Sequence, residues 1–141
     1  MNTKLFRYAA VVVLANSAVN LPHGAAHVGE SAYLPPLANA FVTLVIVLAP
    51  FVALGLLRAG RLRAGAWLLF GSMLGALLFG VVYHFVLPGP DNVAQVPPGP
   101  WQLPFQATSA LLMVVEAAGV GLGGWMLSTL GRSTLKSQPE A

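Results

Sequence analysis

Ala9-Ala10-Val11-Val12-Val13-Leu14-Ala15-Asn16-Ser17-Ala18-Val19-Asn20-Leu21-Pro22-His23-Gly24-Ala25-Ala26-His27-Val28-Gly29-Glu30 is the stretch on which the reading of this chain turns. It opens with residues that suit hydrocarbon. It then sets Asn16, Asn20, His23, His27 and Glu30 at spacings of 4, 3, 4 and 3. Residues three and four apart share one face of a helix, so a helix here carries a polar seam. Polar groups in hydrocarbon need partners. The seam must therefore face other protein, a water-filled cleft or a ligand.

Composition outward from that stretch sets the class. Of 141 residues, 57% are hydrophobic and 8% charged, against roughly a quarter charged in a soluble domain. So few charges cannot cover a globular surface with solvated groups. The chain reads as an all-α integral membrane protein, with length for one compact bundle. It has no cysteine, which excludes disulfides, thiolate metal sites, covalently attached c-type haem and thiol catalysis. The net charge of +3 is not a nucleic-acid footprint, because the basic residues lie at segment ends.

Four apolar stretches are each close to the ~20 residues that cross a bilayer as helix. They run over about 5–28, 37–57, 64–87 and 105–130, which predicts a four-helix transmembrane bundle over 1–131 followed by a loose polar tail over 132–141. No stretch alternates polar and apolar with period two, as barrel strands do. Lys4 and Arg7 open the first span, Arg58, Arg61 and Arg63 fill the second connection, and Arg132 and Lys136 follow the fourth span. The first and third connections have no Lys or Arg. The positive-inside rule then predicts both termini inside and those two connections outside. The membrane expected is a bacterial or archaeal plasma membrane. A competing reading takes Lys4, Arg7 and the following apolar run as a cleaved signal peptide, with small residues at 15–18 or 24–26. Asn16 and Ser17 interrupt that run.

Other features read as architecture. Gly71 and Gly75, like Gly119 and Gly123, are spaced as GxxxG, and Ala76 and Gly80 continue a row of small residues. Such rows let membrane helices approach closely. Pro50 removes a donor from the second helix and predicts a kink. Tyr8, Trp67 and Trp125 at the inner side, with Tyr33 and Trp101 at the outer, read as an interfacial belt. The proline-rich connection 88–104 can be neither helix nor central strand. It reads as an ordered connection, with a lid over the bundle mouth as the functional alternative.

Depth joins the polar residues. About 20 residues from Leu5, His23 reaches the outer boundary. His84 lies near the outer end of the third span, and His27 and Glu30 continue beyond His23. Asn39, Asp91, Gln106 and Ser109 fall at a similar level. His23 and His27 at i and i+4 can present both rings to one metal. With His84 and Glu30 they offer three nitrogens and a carboxylate, a set suited to zinc, copper, iron or manganese. Haem b held between His84 and His23 or His27 is the sharper variant. The bland alternative is interfacial histidines bonded to Asn, Tyr or water. Pro22, Gly24 and Gly29 predict a break in helix geometry around these residues.

Glu116 stands apart, about 18 Å along the fourth helix from Pro104. A carboxylate at that depth is a functional candidate, as part of a proton path or the wall of a quinone or lipid pocket. The alternative is an uncharged acid bonded to Asn16 or Ser72 across the bundle. The chain carries no Walker loop, GxSxG, HExxH or Rossmann fingerprint, which argues against an enzyme. The sequence thus predicts a small binding or accessory protein whose outward-facing layer holds a transition metal or haem. The alternatives are a structural or assembly subunit and a proton-coupled carrier using Glu116. Its partners are the lipid bilayer and, for a subunit of a membrane redox complex, other membrane proteins.

Overall fold

A computed structural model describes residues 3–135. Among them, four helices are long and apolar enough to cross a membrane: Thr3–Gly29, Pro36–Arg58, Leu62–Val86 and Gln102–Arg132. The last continues as helix to Leu135. The tail expected from residue 132 thus begins as helix, and residues 136–141 lie outside the described residues. No strand occurs among the described residues.

The first helix does not break where its sequence predicts. It runs through Pro22 and Gly24 to Gly29. Pro22 is exposed, so its ring lies on the outside of the bundle, and membrane helices tolerate such a proline when the freed groups find other partners. The chain turns away only after Gly29, at Ser31, whose φ of 55° is left-handed. There the Ala32 N–H bonds back to the His27 carbonyl at 3.0 Å, a C-terminal closure of the kind such residues permit.

Two helices change winding along their length. The second is π-wound over Val42–Leu48, immediately before Pro50. Pro50 has no N–H to give the preceding turn, and the chain meets this with a widened turn. The third is π-wound over Val82–Val86. Its ladder closes with Leu87 N–H on the Val82 carbonyl at 2.8 Å, and Pro88 then prevents continuation. Between the second and third helices the connection is tight. Gly60, at φ 79°, supplies the left-handed residue that reverses the chain.

The helices pack in a ring. The fourth lies against both the first and the third, and the third against the second. Packing of the second on the first is concentrated in the second's arginine-end half, Ala49–Arg58. That end of the bundle is a tight apolar core built from Leu5, Ala9, Val13, Leu57, Leu69 and Met73 with their neighbours. Small residues make it tight. A Cβ on Gly123 would lie 2.8 Å from the Phe70 Cα, and one on Gly119 2.7 Å from the Met73 Cγ. Gly71, expected to do the same, meets nothing within 4 Å, whereas a Cβ on Gly75 would lie 3.3 Å from Val45 Cγ1 of the second helix, so only one glycine of the third helix's GxxxG pair lies at a helix contact. Toward the histidine end the first and second helices diverge and leave a cleft.

Candidate metal centre

Three imidazoles meet at that end. The first helix supplies His23 and His27 one turn apart, and the π-wound segment of the third supplies His84. His23 Nε2 lies 3.2 Å from His84 Nε2 and 3.0 Å from His27 Nε2. One ligand atom from each ring falls within 4.8 Å of the others. Phe105 of the fourth helix packs against all three rings at centroid distances of 5.4, 4.9 and 5.5 Å.

The outward nitrogens decide what the inward ones can be. His27 Nδ1 is 3.0 Å from the Ala32 carbonyl and His84 Nδ1 is 2.9 Å from the Asp91 carbonyl. A carbonyl only accepts, so both Nδ1 atoms carry protons and donate. His23 Nδ1 is 3.0 Å from Thr108 Oγ1. The Thr108 hydroxyl already donates to the Pro104 carbonyl at 2.6 Å, so its oxygen accepts from His23 Nδ1. In a neutral imidazole the second nitrogen is then a bare lone pair. Three lone pairs therefore crowd together, an arrangement that repels itself unless a cation stands among them. Metal-bound histidines are held in this way, with the far N–H on a carbonyl, carboxylate or hydroxyl. With metal–nitrogen bonds of about 2.0–2.1 Å, tetrahedral ligand nitrogens stand about 3.3–3.4 Å apart. The two close separations fall within a few tenths of an ångström of that.

The connection between the third and fourth helices closes the site from above. Its Val93 N–H bonds the His84 carbonyl at 3.0 Å, and Asn92 Nδ2 donates to the Leu87 carbonyl at 2.9 Å. Gln106 Nε2 holds the Val93 carbonyl at 2.8 Å. Trp101 lies on Gly29, where no side chain would fit. These ties bury Asp91. Its Oδ1 is 3.1 Å from His27 Nδ1 and its Oδ2 3.6 Å from His84 Nδ1. Neither oxygen has a well-directed hydrogen bond among the described residues, so the contacts are chiefly electrostatic. Burial pushes the Asp91 carboxyl up from its ordinary range, against the pull of His27 and His84. A cation in the triad would favour its ionised form.

The other predicted residues fall into distinct places. Glu30 sits half-buried in the turn after the first helix and is outside the converging group. Asp91, not Glu30, is the carboxylate beside the imidazoles. Ser109 is fully buried and bonds its own helix at the Phe105 carbonyl, 2.8 Å away. Asn39 is exposed, at the rim of a cavity below the triad. Asn16, Asn20 and Glu116 line that cavity, and Asn20 Nδ2 donates to the Asn16 carbonyl at 3.1 Å. The expected bond from Glu116 to Asn16 or Ser72 is absent. Ser72 donates to the Leu69 carbonyl at 3.1 Å, while Glu116 Oε2 and Asn16 Oδ1 have no partner among the described residues. Thr108 carries no signal of its role in the sequence, although it lies between Gln106 and Ser109. Only the rotation of the fourth helix selects it.

No protein-family model, curated protein or solved structure matches this chain. The assignment of the site therefore rests on its geometry.

Proposed function

We propose that this protein binds one transition-metal ion through the Nε2 atoms of His23, His27 and His84, at the outward-facing end of a four-helix membrane bundle. The observation that supports it is the convergence of three Nε2 lone pairs whose Nδ1 atoms are all committed to acceptors. Three neutral imidazoles suit zinc, copper, nickel or cobalt. Three protein ligands also leave a coordination position free for water or another molecule. Asp91 contributes the negative charge that offsets part of the ion's. Haem b is the weaker reading. It needs two imidazoles apart on opposite sides of a ring, whereas here three crowd together, His23 Nε2 lying 3.2 Å from His84 Nε2 and 3.0 Å from His27 Nε2.

A role as an accessory subunit of a larger membrane complex is compatible with so small a bundle. A proton-coupled carrier has less support. Glu116 faces the cavity, but the core between it and the arginine end is apolar, and the described residues there offer no polar route across.

The test is metal analysis of protein purified in detergent, followed by titration of chelator-treated protein with zinc and copper. One ion per chain is expected, and His84→Ala should lose it. A chain that takes up no ion stoichiometrically, or a variant that binds as the parent does, would overturn the proposal.

A further inference from the structure

Below the triad lies a cavity of about 580 Å³, within the range of about 300–1,000 Å³ typical of small-molecule sites. Its roof is the three histidines. Its walls are mostly apolar and include Ile46, Phe51, Phe79 and Met113. Asn16 lies seven residues inward of His23 on the first helix, and Glu116 eight residues inward of Thr108 on the fourth. At 1.5 Å per residue both are about 10–12 Å below the triad, so they form one floor. Each is 2% exposed, and Asn16 Oδ1 and Glu116 Oε2 have no hydrogen-bond partner among the described residues. The cavity borders the cleft where the first and second helices diverge, and exposed Leu21, Val47 and Phe51 line it there. Those residues face hydrocarbon in a membrane.

We infer that this cavity is a binding site for a lipid-soluble aromatic alcohol, a phenol entering sideways from the bilayer with its hydroxyl on the Asn16–Glu116 floor. The floor selects the head group. Asn16 Oδ1 only accepts, so the ligand must donate. An uncharged Glu116 carboxyl also has a proton to give, so the ligand oxygen must accept. One hydroxyl does both. An ammonium could not accept and would bring a further charge into hydrocarbon. The walls select the body. Phe51 lines the mouth, and Phe79, stacked between Phe41 and Tyr83, offers its edge to an aromatic ring. A lipid acyl chain would fill the walls but leave both floor oxygens unpaired. Water would satisfy the floor but not apolar walls, which stay dry. The inference does not rest on the metal proposal, because the floor and walls are separate from the imidazoles' inward nitrogens.

The test uses the full chain in lipid nanodiscs, with radiolabelled 4-tert-octylphenol as probe and empty nanodiscs as the partition control. Saturable binding of one phenol per chain is expected. The methyl ether of the same phenol, which cannot donate, should compete about tenfold more weakly or worse. Asn16→Leu and Glu116→Leu should each weaken binding of the parent phenol by a similar factor. Equal competition by the ether would mean that the cavity accepts any apolar body, and would overturn the proposal. So would unchanged binding to either leucine variant, or the absence of saturable binding, which would leave water or lipid as the occupant. Should a leucine variant fail to fold, Val47→Trp narrows the mouth without touching the floor. It should abolish saturable binding, and retained binding there would also overturn the inference.

Discussion

At the scale of single residues, the site is built from commitments made on the far side of each ring. His27 is held by a reciprocal pair: its carbonyl accepts from the Ala32 N–H at 3.0 Å, and its Nδ1 donates to the Ala32 carbonyl at 3.0 Å. Asp91 works on two rings at once, through its carbonyl on His84 and its carboxylate near both. Asp91→Asn should keep the backbone bond and lose the charge. Metal affinity should then fall about 10–100-fold, read by competition with a chromophoric chelator. Acidification should act in the same direction, since protons and metal compete for the same Nε2 lone pairs. Affinity should therefore fall as the pH is lowered and protons occupy those nitrogens. A pH-independent affinity would remove the histidines from the ligand set. Glu116 makes the opposite kind of prediction. An unpartnered buried polar group costs about 1–3 kcal/mol, so Glu116→Leu should raise the thermal unfolding midpoint of ligand-free protein. A lowered midpoint would mean that the carboxyl is satisfied within the bundle.

At the scale of helices, winding and close approach decide which side chains meet. His84 lies inside a π-wound segment, which shifts its angular position from the one an uninterrupted α-helix would give. The fourth helix comes so near the third that Gly123 sits on the Phe70 backbone, and a methyl group added to Gly123 would lie 3.0 Å from the Phe70 nitrogen. Backbone cannot yield as a flexible side chain can. Gly123→Ala should therefore destabilise the bundle by about 1–3 kcal/mol. Gly71→Ala, in open space, should change little. Thermal denaturation of the two variants in detergent compares them directly, and equal stability would show that the two helices do not approach so closely. The GxxxG pattern is the same at both pairs of positions. Close helix approach at both its glycines distinguishes the pair on the fourth helix, and periodicity by itself cannot say so.

At the scale of the whole molecule, the bundle is tight at one end and open at the other. The arginine end is closed by small residues and aliphatic packing. The histidine end holds the imidazoles, the loop that carries buried Asp91 and the cavity. The absence of Lys and Arg from both connections at this end predicts that it faces outward. The cysteine-free chain makes the check simple. A cysteine at exposed Ala94 should react with an impermeant thiol reagent added outside, and one at exposed Ala59 should not. The reverse pattern would turn the site toward the interior.

The four spans and the importance of the polar seam were legible in the sequence, because hydrocarbon demands long apolar runs and makes each polar residue within them conspicuous. His23 and His27 were legible as a pair because i and i+4 share a face wherever helix persists. That helix persists past Pro22 and Gly24 was not, since their local preferences oppose it and packing on the fourth helix prevails. The convergence of His84 on that pair, the choice of Asp91 over Glu30 and the part played by Thr108 were decided only by the tertiary structure. Each depends on the rotation of one helix about its axis, or on the path of a loop, relative to another helix. Those are relations between segments distant along the chain, and local spacing carries no record of them.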